Sequence, residues 1–383
     1  MAVFPANFSR AISRKGSHIL VRLVTMQMMT IPRAQGLRAL IVCGTLFSPA
    51  IAACAGTPAE ILERLMEEHK VPGVSMLGIS GHQIAWQRHA GVRSADGGIP
   101  VDADTVFEAA SMTKPVAAYA ALRLAQDGRL ELDAPLAGYL DEPFAPDEPH
   151  YEKITARMVM AHTSGFPNWR RGNPLRASHE PGTAFRYSGE GYLFLQRAIE
   201  RITDTDFESH LQETMFKPLG MESSRLVWHD DYLETAAAGH DADGRVKPDR
   251  RLYRRPNAAY TLYTTPRDYA RFLIEMMAAD RSANHQLDAE HLLLMLTPES
   301  PPTGRDLITR QGVVGEGELK FALGWQIEPT SSGPRLRHSG SNGTGFRCYS
   351  EFDPATGAGL IIMTNAEGGR TLWQEMVAAI SPP

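Results

Sequence analysis

The sequence predicts a mixed α+β protein in which one antiparallel sheet is assembled from both ends of the chain, flanked by terminal helices and interrupted by a helical insertion. Three observations carry this reading. Strand-like runs lie near residues 73–86 and again between 321 and 364, helical patterns dominate from Ala109 to about Asp280, and amphipathic helices stand outside both sets of strands. With 383 residues, 43% hydrophobic and 22% charged, the chain has enough apolar material for one large domain or two interlocked lobes. That composition excludes a disordered tail protein, a collagen-like chain and a multi-span membrane protein.

The elements follow in order. Residues 58–69 place Ile61, Leu62 and Leu65 on one helical face, and Gly73–Ile79 then reads as a strand, with Ser80-Gly81-His82 turning into a second strand through Trp86. From Ala109 the chain is mostly helical, with long loops rich in Pro, Gly and Asp at 141–152 and 166–182. Strands return at Phe321–Ile327, Arg335–His338, Phe346–Phe352 and Gly357–Thr364, and 370–380 closes as an amphipathic helix. The expected organisation is therefore a domain over 55–383, its sheet lobe drawn from about 56–107 and 260–383 and its helical lobe from about 108–259.

The first 53 residues differ in kind. They carry six basic side chains and no Asp or Glu, with Arg33 and Arg38 ahead of an apolar stretch from Ala39 to Phe47 and then small residues to Ala53. That order matches a secretory signal, too short to span a bilayer, and a start near Met26–Met29 would give it an ordinary length. Export to the periplasm or medium is expected. Ala50-Ile51-Ala52 suits one cleavage, while Ile51-Ala52-Ala53-Cys54 resembles a lipobox, which would lipidate Cys54 and supply the only membrane attachment. Only Cys54 and Cys348 lie beyond the signal, so no disulfide framework is implied, and Cys348 in its apolar run reads as a small buried hydrophobe. With 44 acidic against 39 basic residues, and six of the basic ones in that leader, the remainder is acidic and lacks a basic stripe, which disfavours a nucleic-acid partner.

The chemistry concentrates at Ala109-Ala110-Ser111-Met112-Thr113-Lys114-Pro115, followed by an apolar helical pattern. Proline suits a first helical turn, so Ser111 falls at or near a helix N-terminus with Lys114 one turn along on the same face. A serine hydroxyl is a poor nucleophile at neutral pH and needs a proton acceptor, which a desolvated lysine can be. Chance supplies such a pair in many chains of this size. Two further elements change the odds: Tyr187-Ser188-Gly189, and His338-Ser339-Gly340-Ser341 at the end of an expected strand.

In this order the three elements resemble those of the penicillin-recognising serine hydrolases, in the branch of class C β-lactamases, DD-peptidases and related esterases. Further phrases extend the similarity over roughly 58–380: Val71-Pro72-Gly73-Val74, Asp127-Gly128-Arg129-Leu130, His162-Thr163-Ser164-Gly165, Pro218-Leu219-Gly220-Met221 and Gly324-Trp325. The resemblance implies a β-lactamase/transpeptidase-like fold and a cofactor-free acyl-enzyme route. It implies Ser111 as nucleophile, Lys114 as its proton acceptor or electrostatic partner, Tyr187 as proton relay, His338 in the place of a usual lysine, and backbone N–H groups of Ser111 and Ser341 as the oxyanion hole. Ser188, Gly189, Ser339 and Gly340 become candidate substrate contacts, and Trp169, Tyr260 and Tyr263 candidate walls of the cleft. Gly189 departs from the family pattern, which has an amide side chain there; with His338 it tilts the expectation toward ester or atypical amide substrates, the candidates being a carboxylesterase, a D-amino-acid peptidase or amidase, and a weak β-lactamase. The alternative is a catalytically silent envelope protein that binds peptidoglycan peptides or a protein partner. His162 is expected to be structural, and the His229, Asp230, Asp231, His240, Asp241, Asp243 group lacks metal-ligand spacing.

Overall fold

The computed structural model describes residues 57–172, 174–248, 252–278, 287–299, 320–330 and 333–380. The expected signal segment, the Met26–Met29 start and Cys54 lie outside them. Helix α1 (Pro58–Glu68) starts where a capping box requires it: Glu60 N–H donates to the Thr57 hydroxyl, the Glu60 carboxylate accepts from Thr57 N–H, and Pro58 occupies the first turn. Its inner face buries Leu62 and Leu65.

Strands β1 (Gly73–Ser80) and β2 (Gln83–Gly91) form the expected hairpin. Its two loop residues, Gly81 and His82, both take positive φ, the turn whose twist suits a two-residue hairpin. At the other end of the chain come β5 (Lys320–Phe321), β6 (Gln326–Thr330), β7 (Gly333–Ser341), β8 (Arg347–Asp353) and β9 (Ala358–Thr364). All seven pair antiparallel in the order β2-β1-β9-β8-β7-β6-β5, so β1 lies beside β9 and joins the two ends of the chain in one sheet. The single strand expected over Phe321–Ile327 is two. Gly324 turns the chain there with φ +90°, and a Cβ on it would sit 2.8 Å from that of Ala118 in helix α2 (Thr113–Gln126), so packing demands both the turn and the glycine.

Strand periodicity sorts the side chains onto two faces. Val74, Met76, Leu360, Ile362 and Tyr349 point to one side, where α1 and the closing helix α9 (Gly369–Ile380) cover them. Leu77, Ile79, Ile361, Met363 and Phe352 point to the other, into the larger core shared with the middle of the chain. That middle contains α2, α3 (Ala156–Met160), α4 (Gly189–Thr203), α5 (Phe207–Leu211), α6 (Tyr232–Thr235) and α7 (Pro266–Met277), with α8 (Ala289–Leu296) after it. It also holds a two-stranded sheet that the sequence reading missed, β3 (Phe107–Ala110) with β4 (Leu262–Thr264). Strands of four and three residues, buried on both faces, show no alternation, and Ala109-Ala110 imitates a helix start.

The Trp373 ring of α9 stacks on Tyr349 of β8, with centroids 4.4 Å apart. Replacing Trp373 by Ala is expected to cost about 3–5 kcal/mol, read from urea unfolding; a loss under about 1 kcal/mol would show that α9 does not close this face.

Candidate active site

The turn between β3 and α2 presents Ser111. Ala110 holds φ +49°, a left-handed conformation costly for a residue with a Cβ, and it persists because its neighbours determine it. The Thr113 hydroxyl donates to the Ala110 carbonyl (2.6 Å) and accepts the N–H of Leu262 in β4 (3.0 Å), while Met112 N–H donates to the Ala109 carbonyl. With α2 starting at Thr113, Lys114 lies in its first turn and reaches back, its Nζ 3.4 Å from Ser111 Oγ.

Lys114 is fully buried. Its amine donates to the Ala259 carbonyl (2.8 Å) and lies 4.6 Å from the ring centre of Tyr187 and 5.7 Å from that of Tyr192. Desolvation disfavours the charged form and lowers its pKa to about 7. Tyr187 is shifted the other way: burial pushes the phenol well above its ordinary value, against a hydrogen bond with the Ser111 side chain. Serine, lysine and tyrosine therefore converge, as their motifs suggested.

His162 is the floor under Tyr187. Its ring centre is 4.2 Å from that of Tyr187 and its Nδ1 accepts the Ser188 N–H (3.1 Å), so a neutral ring positions the backbone at the start of α4. Burial holds its pKa well below the usual value, with the Lys114 charge adding to the shift.

Strand β7 forms the opposite wall. A Cβ on Gly340 would lie 2.0 Å from the Ala109 carbonyl, so only glycine lets β7 run this close to the Ser111 turn. Gly340 is thus a point of backbone approach, while Ser339 and Ser341 on either side line the cleft. The register is locked by Glu108 of β3, whose carboxylate accepts from Asn342 Nδ2 (2.6 Å) and the Thr344 hydroxyl (2.7 Å) just beyond β7. His338 is buried with Nδ1 donating to the Ser339 carbonyl (2.9 Å), and desolvation followed by the charge of Lys114 lowers its pKa to about 3. Unlike a lysine in that place, it stays neutral at pH 7.

Several expected substrate contacts are corrected. The Ser188 hydroxyl caps α4, accepting Gly191 N–H and donating to the Pro167 carbonyl, and it is buried. Gly189 is covered: a Cβ there would fall 2.6 Å from the Asn168 carbonyl and 2.8 Å from the Trp169 ring, so the loop before Tyr187 fills the space of a side chain. Tyr263 is buried in a separate aromatic cluster with Trp228 and Tyr232. Tyr260 meets the cleft through Trp169, against which its ring packs edge-on at 5.1 Å. Glu190 is held by Arg170 (2.7 Å).

The cleft has a volume of about 810 Å³ and is lined by Ser111, Tyr187, Ser339 and Ser341 together with Trp169 and five arginines: Arg170, Arg171, Arg176, Arg186 and Arg370. The arginines went unread in the sequence, although the Arg170-Arg171 pair inside a Pro/Gly/Asn-rich loop was a usable signal. Cys348 is buried and its thiol is pushed up to about 12, as suits a packing residue. His229 pairs with Asp231, and Asp241 and Asp243 pair with Arg245, so those residues close surface loops. Among the described residues the one group with metal-like spacing is Glu68, His69 and Glu375, on α1 and α9 and not among the residues lining the cleft.

Since Gly189 is sterically filled, Gly189→Asn is expected to destabilise the fold by about 1–3 kcal/mol through overpacking and to lower turnover of every substrate. Thermal unfolding and ester kinetics check this; an undiminished melting temperature with improved amide hydrolysis would show room for the side chain.

The chain resembles Protein flp of Staphylococcus aureus (strain MRSA252), with 26% identity over 220 residues, 52% of this chain and 44% of that protein. It thus spans less than half the length of that relative. Penicillin-binding protein 4 of Amycolatopsis lactamdurans is 25% identical over 337 residues, covering 80% of this chain and 84% of the relative. In structure, the octameric penicillin-binding protein homologue from Pyrococcus abyssi superposes with a TM-score of 0.69 at 23% identity, over 84% of this chain and 75% of that one. That likeness concerns the fold, and the Beta-lactamase family matches residues 59–380. With nearly all of the described chain inside that match, this protein belongs to the Beta-lactamase family.

Proposed function

We propose that the protein is a serine hydrolase that forms an acyl-enzyme on Ser111, acting on small esters or amides. The observation that carries this is the convergence of Ser111, a fully buried Lys114 with a pKa lowered to about 7, and Tyr187 at one end of the cleft. Neutral Lys114 takes the proton as Ser111 Oγ attacks the substrate carbonyl, and the backbone N–H groups of Ser111 and Ser341 receive the developing oxyanion. Collapse expels the alcohol or amine, protonated through Tyr187, and water then releases the acid and restores the serine. Neutral His338, packed beside Tyr187 with ring centres 6.3 Å apart, acts by hydrogen bonding and carries no positive charge. Without an amide side chain at Gly189 the site holds amides less well than esters, so ester hydrolysis is the preferred reading. Export, read from residues 1–53, places this activity in the cell envelope or outside.

Intact-mass measurement after exposure to p-nitrophenyl esters, nitrocefin and a fluorophosphonate is expected to find one adduct on Ser111, absent in Ser111→Ala. No adduct with any probe on folded protein would leave a binding role as the better reading. Because the reactive form of Lys114 is the unprotonated one, kcat/KM should rise about tenfold per pH unit up to a limb near 7 and then level. The limb should persist in His338→Gln, and its loss in that variant would assign it to the histidine.

A further inference from the structure

The arginines of the cleft have an uneven distribution of partners. Arg170 is neutralised by Glu190, whereas among the described residues no ion pair engages Arg171, Arg176 or Arg186. Arg370 faces the same cleft from the first turn of α9, half-buried beside Arg347, and each of the two has its pKa lowered first by desolvation. Among the described residues no Asp or Glu lines this cavity. Glu148, the other carboxylate bonded to the loop, accepts the backbone N–H groups of Ala177 and His150. The result is a concentrated positive wall on a chain whose net charge is −5, the reverse of what average composition would place there.

Like charges gathered around one cavity repel, and the arrangement gains from an anion that enters. Guanidinium groups suit that role because their planar forks match a carboxylate or phosphate two-pronged, which a lysine cannot do. The cavity of about 810 Å³ also exceeds what a short neutral acyl chain fills. We propose that the arginines of the loop before Tyr187, Arg171, Arg176 and Arg186, form an anion subsite that selects substrates bearing a carboxylate or phosphate group remote from the carbonyl that Ser111 attacks. This substrate class rests on the serine hydrolase reading for its turnover, while the anion subsite stands on the cleft alone.

The two are separated by measuring binding first, by calorimetry on the full chain carrying Ser111→Ala. The probes are the p-nitrophenyl monoester of glutaric acid, its 4-phosphonobutanoate counterpart and p-nitrophenyl pentanoate, which share an acyl chain and differ in its end. At least one anionic ester is expected to bind about tenfold tighter than the neutral one, with the preference shrinking as salt is raised, and the stronger of the two identifies the anion. Adding Arg171→Ser and Arg176→Ser should bring the ratio toward one, whereas Arg171→Lys and Arg176→Lys should keep part of it. Equal binding of anionic and neutral esters, or a ratio unmoved by both serine replacements, overturns the subsite. A preserved binding preference with no hydrolysis of any ester by the unaltered protein would instead overturn the serine hydrolase reading and leave the subsite standing.

Discussion

The arrangement around Ser111 depends on keeping one amine dry. Burial alone shifts Lys114, whose amine has the Ala259 carbonyl and two aromatic rings as its neighbours. Isolating an ammonium this way is unfavourable, so the surroundings have to be built rigidly enough to prevent water or a counter-ion from relieving it. The carbonyl that meets the amine is aimed by a tightly bonded loop: Asn257 Oδ1 accepts Ala259 N–H, the Thr261 hydroxyl accepts Asn257 N–H, and Gln196 of α4 accepts Ala258 N–H. The left-handed Ala110 belongs to the same design, since β3 has to end abruptly for α2 to start with Lys114 under Ser111.

Two glycines set how close the walls come. At Gly340 the absent side chain lets β7 reach the Ser111 turn, and Glu108 then holds the segment after β7 through Asn342 and Thr344. At Gly189 the absent side chain admits a loop, and the same loop carries Trp169, Arg170 and Arg171 into the cleft. One closely packed glycine thus brings a positively charged loop to the cleft.

Electrostatics follow the same geometry. Desolvation disfavours the charged form of Lys114, and desolvation followed by the Lys114 charge disfavours that of His338, so the histidine is neutral and the amine easily neutralised near pH 7. The open part of the cleft is the opposite, lined by guanidinium groups in contact with solvent. On the proposed reading, proton transfer and charge recognition fall at different depths of one cavity.

Much of this was legible in the chain itself. The hairpin starting at Gly73, the terminal helices and the return of strands after 320 follow from local periodicity, turn chemistry and spacing, which act over a few residues, while the Ser111, Lys114 and Tyr187 motifs were read through the family resemblance. What sequence missed had no local signal: β3 and β4 are too short and too buried to alternate, Gly324 breaks a strand because α2 presses on it, and Tyr263 is drawn from the cleft into a cluster with residues some thirty positions away. The surroundings of Ser188, Gly189 and the arginines likewise depend on which loop lies against α4. Sequence by itself determined the motifs of Ser111, Lys114 and Tyr187 and the strand pattern that brings both chain ends together. Tertiary structure alone decided the depth of burial of Lys114 and His338 and the charge of the cleft wall, because desolvation and close backbone approach are properties of packed neighbours and not of residue order.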